Sequence, residues 1–497
     1  MAEVPTVHLK RGNAKPLHSG HPWVFADAIS RTEGQVQPGD EVRVVDERGT
    51  CLGRGFISPQ SAIAVRLLTR ADAPITDALL ISRIDEAIRL RHEILRLAAP
   101  SDSQPAAAAL HASPKKLALP DKTIGPAELS DKQAVQLEQL DDQVRKIERF
   151  AAQYGMDAGE ETAELRRKRD DLARQFSPAP ATASPAKARI AAPAHSEKTT
   201  AYRLINSEGD GLPGLIADVY GDCIAVQIGT AGIERRSTVL LDALEERLSP
   251  RAIVDRSDAR TRTLEKLPPP RLGALRGTAP VEAHSVFENG IELLCDLRDG
   301  AGQKTGLYMD QRENRRRFAE FAPARHVLDV FSYTGSFALH AARAGAASIT
   351  LVESSAEALE QARDNLERNG VDDADLIHAQ WPEGFKHLRE QGRQFDLVAL
   401  DPPKFARARE NVAQALSAYR DLNAQAARLV SSGGLLFTCS CSGNVSEMDF
   451  ERAVAGGIAT AGRRAMLLER RGAAADHPVP PGFDQGNYLK CLILRII

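Results

Sequence analysis

The stretch Leu435–Ser442 reads LLFTCSCS, follows Gly433 and Gly434 directly, and predicts a buried strand that ends in two cysteines. Two more apolar stretches have the same form: Phe395–Leu400 runs into an acidic motif, and His326–Val330 runs into a turn that contains glycine. The carboxyl ends of parallel strands meet at one edge of an open α/β sheet, and ligands bind there. We therefore expect two acids and a thiol at this edge, an arrangement suited to covalent chemistry on a nucleobase.

Composition limits the class of protein. The chain has 497 residues, too many for one hydrophobic core, so we expect two to four domains. Hydrophobic residues make up 43% and charged residues 26%, and no apolar run approaches the ~20 residues of a membrane span. Six scattered cysteines and the lack of a signal-peptide pattern favour a cytoplasmic protein without membrane contact. The net charge of −3 leaves any RNA binding to local basic patches.

Periodicity and composition divide the chain into four parts. Residues 1–72 contain short strands with Gly and Pro punctuation and predict a small β-barrel. Residues 73–98 and 199–300 predict a mixed α+β middle domain, and residues 301–497 alternate strands and helices as a doubly wound α/β sheet does. Residues 99–198 combine Ala-, Pro- and Ser-rich linkers with helical spacings, which predicts an inserted helical hairpin. Its partner is unknown, and a charged helical spacer is the alternative.

Cations and aromatic residues lie close together in the first part of the chain. Lys10 and Arg11 precede Trp23 and Phe25, and this combination suits phosphate contact and base stacking on RNA. The alternative is equally open at this stage. In that reading Trp23 and Phe25 fill the barrel core and the cations form a solvated rim.

A nucleoside-binding pattern lies in the last part. Asp329 stands near the end of a strand, Phe331 and Gly335 lie in the following turn, and the next strand ends in Glu353. A carboxylate there can accept both ribose hydroxyls of a nucleoside. The turn lacks the G-x-G-x-x-G pattern of a dinucleotide site, so an adenosine cofactor without phosphates fits better. S-adenosylmethionine is the common one; an ordinary strand-to-helix turn is the alternative.

The acidic motif reads Asp401-Pro402-Pro403-Lys404-Phe405. Its prolines restrict φ and remove backbone donors, so they hold a fixed arch beyond the strand. We expect Asp401 and Phe405 to face one cavity, where a flipped base can stack on the ring and meet the acid. The alternative is a simple strand end.

The thiols supply the predicted nucleophile. Cys439 and Cys441 share one face of the strand, and Cys441 lies nearer its carboxyl end. Attack by the Cys441 thiolate at C6 of a pyrimidine makes C5 nucleophilic, so C5 can take a methyl group from a sulfonium donor. Asp401 could hold the N3 proton, and a cation such as Lys404 would favour the thiolate. A buried pair of apolar cysteines is the alternative, and one C-x-C offers too few ligands for a metal.

Together these motifs resemble the class I S-adenosylmethionine-dependent RNA methyltransferases, above all the PUA-containing large-subunit ribosomal RNA cytosine-5 methyltransferases. His21–Phe25 and Pro38–Asp40 resemble that family's PUA barrel, Asn206–Leu215 resembles its middle domain, and Lys304–Arg312 resembles the segment before its cofactor loop. The resemblance implies a PUA barrel, a mixed middle domain and a Rossmann-like methyltransferase domain.

The resemblance also implies a reaction: C5 methylation of a cytosine in 23S ribosomal RNA, free or in an assembly intermediate. Cys441 falls on the family's catalytic cysteine and Asp401 on its acidic motif. The cofactor-contacting positions fall on Gln311, Asp329, Gly335 and Glu353. A homodimer is left open.

Two features depart from the family pattern. Residues 99–198 are not part of it. Gln380 stands after the third strand, where the family usually has an acid near the adenine, although an amide can also meet the adenine amine.

Other functions are open at this stage. Methyl transfer to another atom or base, such as a guanine nitrogen, would need no nucleophile. A non-catalytic RNA-binding assembly factor would use the barrel and the helical hairpin. A dinucleotide oxidoreductase is disfavoured, because the glycine pattern is wrong.

Overall fold

The computed structural model describes residues 4–97, 199–271, 273–280, 282–298, 306–406 and 408–497, and all of them belong to one compact unit. The helical hairpin predicted in residues 99–198 lies outside the described residues. The domain boundaries at residues 72, 98, 198 and 300 stay predictions. Within the described residues, no helix combines the length and the apolar character that crossing a membrane requires.

The first sheet has six strands. Its strands are β1 (Thr6–Leu9), β2 (Trp23–Phe25), β3 (Ile29–Glu33), β4 (Glu41–Val45), β5 (Cys51–Ile57) and β6 (Ile63–Thr69), with a short helix α1 (Lys15–His18) after β1. Their order across the sheet is β2-β6-β5-β4-β1-β3, and only the β1–β4 pair is parallel. Alternate valines such as Val42, Val44 and Val65 fill its core. This barrel-like sheet confirms the fold predicted for the first part of the chain.

The middle region is mixed α+β, as predicted. Its helices are α2 (Asp77–Leu95), α3 (Ala231–Arg235), α4 (Ser237–Leu248) and α5 (Ala259–Leu264). Its sheet follows the order β11-β10-β9-β8-β7, made of β7 (Ala201–Asn206), β8 (Leu215–Tyr220), β9 (Cys223–Ile228), β10 (Ala252–Asp255) and β11 (Ala274–Gly277). A separate hairpin pairs β12 (His284–Glu288) with β13 (Ile291–Cys295). Its turn residues Asn289 and Gly290 have φ of 50° and 77°, the positive values that a type I′ turn requires and that an Asn-Gly pair adopts readily.

The last region is the predicted doubly wound sheet. Its strands are β14 (His326–Val330), β15 (Ser348–Glu353), β16 (Ala374–His378), β17 (Phe395–Leu400), β18 (Val430–Ser440), β19 (Ala465–Arg471) and β20 (Lys490–Ile496). Its helices are α6 (Arg312–Glu320), α7 (Ser336–Arg343), α8 (Ala356–Arg368), α9 (Trp381–Glu390), α10 (Val412–Leu429) and α11 (Glu447–Thr460). The order is β16-β15-β14-β17-β18-β20-β19, with the first five strands parallel and β20 antiparallel to both neighbours. This is a Rossmann-like topology.

The glycine pair Gly433-Gly434 lies inside β18, beyond the end of α10 at Leu429. A Cβ on Gly434 would lie 2.9 Å from the Ser431 carbonyl oxygen and 3.1 Å from that of Asp396. The glycine is therefore needed for close backbone approach at an irregular point of the strand pair.

The register of the parallel strands brings their carboxyl ends to one level. Val330 of β14 pairs with Leu400 of β17, and Leu400 pairs with Thr438 of β18. The residues that follow these positions therefore lie side by side at one edge of the sheet, as the sequence predicts.

A buried ionic network links this sheet to the middle region. Asp476 is 0% exposed; its Oδ2 accepts from Arg312 Nη1 at 2.7 Å and from the Arg203 backbone N–H at 2.9 Å. Arg91 of α2 donates to the Asp476 carbonyl oxygen at 2.9 Å. Burial by itself would raise the pKa of Asp476, but the hydrogen bond with His477 and the charge of Arg312 hold it well below its ordinary value. Charges so deeply buried are tolerated only because they are paired.

We predict that Arg312→Met destabilises the fold by about 3–5 kcal/mol, because it leaves the buried Asp476 carboxylate without its main counter-charge. Urea denaturation would measure the loss. The control is Arg470→Met, which removes an exposed pair with Glu451 and should cost at most ~1 kcal/mol. Equal midpoints for the two variants would contradict the role assigned to the buried network.

Candidate active site

The turn after β14 is backbone-strained and is held by Glu353. Phe331, Tyr333 and Gly335 all have positive φ, of 61°, 49° and 78°. For the two aromatic residues this conformation is costly and needs support from the surroundings. The support comes from the Tyr333 N–H, which donates to Glu353 Oε2 at 2.8 Å. If residue 335 carried a side chain, its Cβ would lie 3.2 Å from the Cβ of Ala362 in α8. Glycine at this position therefore allows α8 to pack closely against the turn.

The Glu353 carboxylate lies at the end of β15, half-buried. Its Oε1 accepts the backbone N–H groups of Ser354 and Ser355 at 2.7 and 2.9 Å. Most of the hydrogen bonds that Glu353 accepts therefore come from the backbone of the turn. Its Oε2 can accept one more hydrogen bond besides that from Tyr333. The predicted contact of Glu353 with the ribose hydroxyls stays a prediction.

Asp329 is buried against the start of α7. It is 1% exposed, and its Oδ2 accepts the Ala338 N–H at 3.0 Å. Burial raises the pKa of this carboxyl to about 8, and the charges of Asp401 and Glu353 act in the same direction. Within the described residues, its Oδ1 and the hydroxyls of Ser332 and Thr334 have no hydrogen-bond partner. Such polar atoms fit a cofactor that carries amino, carboxylate and hydroxyl groups, as S-adenosylmethionine does.

Asp401 follows β17 and is oriented by a chain of side-chain amides. Gln311 Nε2 donates to Asp401 Oδ1 at 2.9 Å, and Asn314 Nδ2 donates to Gln311 Oε1 at 2.6 Å. Arg471 Nε donates in turn to Asn314 Oδ1 at 2.9 Å. Gln311, which the family resemblance assigned to the cofactor, therefore contacts the acid directly.

The proline arch and the thiol form one unit through Ser442. Cys441 lies just beyond β18, half-buried, with its Sγ 3.8 Å from the Pro402 carbonyl oxygen. The buried Ser442 Oγ accepts the Ala406 N–H at 3.2 Å and lies 3.2 Å from the Tyr419 hydroxyl. The turn that carries the thiol is thus fastened to the arch that carries the acid.

Cys439 is unsuited to act as a nucleophile. It is 1% exposed and packs in the hydrophobic core with Cys491. The hydrogen bond with Cys491 and burial raise its pKa well above the ordinary value, so its thiolate is disfavoured.

Other predicted residues lie around this unit. Phe405 packs against Tyr419, with ring centroids 4.9 Å apart, and Lys404 is exposed on the arch. Gln380 is exposed at the amino end of α9, on the same edge of the sheet. The contacts of these three residues with cofactor or substrate stay predictions.

Sequence reasoning missed two residues beside Cys441. Lys490 begins β20 and is only 7% exposed. Tyr308 packs edge-on against Tyr333 at 5.3 Å; burial and the nearby Tyr333, Asp401 and Cys441 raise its pKa. Lys490 could have been noticed as the one cation that opens the apolar stretch Lys490–Leu494.

The cations of the first sheet form a separate basic groove. Lys10 and Arg11 are exposed and line a cavity of ≈ 620 Å³ together with Arg31 and Arg48. We call these four residues the basic groove.

Trp23 and Phe25 do not fill the barrel core, and their stacking on RNA bases stays a prediction. Trp23 Nε1 donates to Glu208 of the middle region at 2.7 Å, and its ring lies 4.7 Å from that of Phe483. Phe25 packs edge-on against Trp23 and is 39% exposed. Trp23 therefore joins regions of the chain rather than filling the barrel core.

Two family profiles match the sequence. The profile described as a PUA-like domain matches residues 7–70, and the profile described as an S-adenosylmethionine-dependent methyltransferase matches residues 246–495. Fold, site and profiles together define a class I S-adenosylmethionine-dependent methyltransferase with a PUA-like domain, and S-adenosylmethionine is its cofactor.

Full-length relatives narrow the class. Ribosomal RNA large subunit methyltransferase I of Shewanella denitrificans is 34% identical over 496 residues, which cover 99% of each chain. The protein of that name from Aeromonas salmonicida is 31% identical over 491 residues, which cover 98% of each chain. The chain belongs to the family of these ribosomal RNA large subunit methyltransferase I proteins.

Solved structures share the fold. A SAM-dependent methyltransferase from Streptococcus mutans aligns with a TM-score of 0.67 at 17% identity, covering 99% of this chain and 100% of that one. A methyltransferase crystallised with SAH aligns with a TM-score of 0.68 at 18% identity and the same coverage. At these identities the likeness establishes the fold alone.

We predict that Asp329→Asn changes stability and cofactor affinity in opposite directions. The folded chain raises the pKa of Asp329 from 3.8 to about 8, so the folded state binds its proton more tightly than the unfolded state. This group therefore lowers stability progressively as pH rises from about 4 to about 8, and the amide variant escapes that loss. Above about pH 8, where this carboxyl is ionised, loss of its charged hydrogen bonds should weaken S-adenosylmethionine binding roughly 10- to 100-fold.

Thermal denaturation across this pH range and calorimetric titration with S-adenosylmethionine test both effects. The control is Asp373→Asn, which changes an exposed carboxyl and should alter neither quantity. A variant at Asp329 with the wild-type pH dependence and affinity would contradict the prediction.

Proposed function

We propose that this protein methylates C5 of a cytosine in 23S ribosomal RNA through a transient covalent bond to Cys441. The observation that carries the proposal is the fastening of a half-buried thiol to the Asp401 arch through Pro402 and Ser442. The names of the full-length relatives support large-subunit ribosomal RNA as the substrate class.

Cys441 opens the reaction. Its thiolate forms a bond to C6 of the cytosine, and the ring electrons move towards C5 and N3. Asp401 would hold the N3 proton of this adduct, and the hydrogen bond from Gln311, which orients its carboxyl group, supports this role. A protein-bound acid at N3 stabilises the negative charge that would otherwise build up on the ring.

Bound S-adenosylmethionine supplies an electrophilic methyl group to the nucleophilic C5. The protein must then remove the C5 proton, after which the C6–S bond breaks and the thiolate is released. Cys439 is the only other cysteine on the β18 segment, and it is buried against Cys491. A release scheme with two cysteines is therefore disfavoured.

Substrate holding is assigned to two places. Lys404 and Phe405 of the arch would meet the flipped cytosine, and Lys10 and Arg11 of the basic groove would contact RNA phosphates at a distance from it. Binding to an assembly intermediate rather than free RNA, and a homodimer, stay predictions.

RNA that carries 5-fluorocytosine tests the covalent step, because fluorine at C5 blocks release. We expect wild-type protein to form an adduct that is stable to denaturation, and Cys441→Ala to form none. The matched control is Cys439→Ala, which removes a buried thiol of the same strand and should still trap RNA.

The outcomes also separate the alternative functions. Bisulfite mapping of 23S ribosomal RNA with and without the protein should show one cytosine whose protection depends on Cys441. Methylation that survives Cys441→Ala would indicate another atom or base, and RNA binding without any methylation would indicate an assembly factor.

A second prediction concerns the basic groove. Replacing Lys10 and Arg11 together by Ala should weaken ribosomal RNA binding and lower the salt-dependence slope of the affinity by about 1 to 2, because two phosphate contacts are lost. Filter binding at several salt concentrations measures both. The charge-matched control replaces exposed Lys386 and Arg389 of α9 by Ala. Equal effects of the two double variants would contradict a specific role for the groove.

A further inference from the structure

Lys490 is an unusual residue in this fold. Lysine is rarely buried, yet Lys490 is 7% exposed at the start of β20, directly across from Ser440 of β18. Within the described part of the chain, no carboxylate forms a salt bridge with it. A lysine buried in this way needs a partner that stabilises its ammonium form or exchanges a proton with it.

Two carbonyl groups fix the Lys490 amine. Its Nζ donates to the Ser442 carbonyl oxygen at 2.8 Å and to the Tyr488 carbonyl oxygen at 3.0 Å. An ammonium group has three donors, so these two bonds leave one direction for a third proton. Because Ser442 follows Cys441 in the chain, the amine lies beside the turn that carries the thiol.

Of the charged groups around Lys490, Cys441 has the largest influence on its pKa. Burial lowers the pKa of Lys490 to about 8, and the Cys441 thiolate is the strongest influence in the opposite direction. Glu447 also favours the charged amine, and Lys404 disfavours it. Burial raises the pKa of Tyr308 and of Tyr419, and the charge of the Cys441 thiolate acts in the same direction on both.

We propose that Lys490 is the positioning residue that makes Cys441 a nucleophile. The neutral Lys490 amine takes the proton of the Cys441 thiol, which leaves a thiolate beside an ammonium group. The same two carbonyl bonds hold the nitrogen in both states, and the transferred proton occupies its third position. When the thiolate is released from a substrate, the pair can return to thiol and amine by the reverse transfer.

The proposal names Lys490 where the sequence suggested Lys404 as the cation that favours the thiolate. Lys404 lies on the exposed arch, where water screens its charge, whereas Lys490 is buried and acts in a medium of lower polarity. The proposal rests on the proposed function, because that function is what requires Cys441 to be a nucleophile. The ion pair itself can be measured without RNA.

Alkylation of full-length protein with iodoacetamide between about pH 6 and about pH 10 measures the pair, with mass spectrometry distinguishing Cys441 from the other cysteines. Lys490→Met should raise the apparent pKa of the Cys441 thiol by about one unit and slow its alkylation near neutral pH roughly tenfold. Lys404→Met is the matched control and should change the rate less than about twofold, because its charge is exposed. A Lys490→Met profile that coincides with the wild-type profile would overturn the proposal.

Two measurements guard against misfolding. The buried Cys439 should stay unreactive in every folded variant, so its alkylation reports unfolding in the same spectrum. If Lys490→Met exposes Cys439, the second variant is Lys490→Gln, which keeps N–H donors for the carbonyl groups but removes the charge. Alkylation of Cys441 should be slowed in this variant as well. A wild-type rate would overturn the proposal.

The two proposals can fail separately. A shifted alkylation profile in Lys490→Met, together with trapping of 5-fluorocytosine RNA by Cys441→Ala, would keep the ion pair and refute the covalent mechanism. Trapping that requires Cys441 but an unshifted profile would keep the mechanism and refute the role of Lys490.

Discussion

The in-register pairing of β14, β17 and β18 is the constraint on which the site depends. Each strand is buried on both faces, and parallel hydrogen bonding aligns Val330, Leu400 and Thr438 at one level. A shift of one residue would turn every side chain of a strand to the opposite face. The acid of the arch and the thiol of the next turn therefore meet because the hydrophobic core permits one register.

Polar contacts then refine what the sheet positions. Ser442 ties the thiol turn to the proline arch, and its carbonyl group also receives Lys490. Glu353 holds a turn with positive φ at Phe331 and Tyr333, so the backbone strain there is balanced by charged hydrogen bonds. Both devices use groups that are fixed before any ligand arrives, which is how a site keeps its geometry during reaction.

Local patterns were sufficient for much of the fold. The strands β14 and β17 have the predicted bounds, because apolar runs with glycine or proline at their ends specify buried elements without reference to distant residues. Sequence reasoning did not find the roles of residues whose contacts are distant in the chain. A side chain at Gly434 would crowd the Asp396 carbonyl oxygen of the adjacent strand, and Trp23 donates a hydrogen bond to Glu208, 185 positions away.

The order of motifs along the chain, read without structure, was enough for the fold class and the cofactor, and it also led to the proposal of Asp401 and Cys441 as site residues. Only the tertiary structure decided which groups surround them: Gln311 on the acid, Ser442 between arch and thiol, and Lys490 rather than Lys404 as the buried cation. The physical reason is that motifs are set by local backbone geometry and strand order. The ionisation and orientation of a side chain depend instead on burial and on partners from β18, β20 and α6, which are adjacent only after folding.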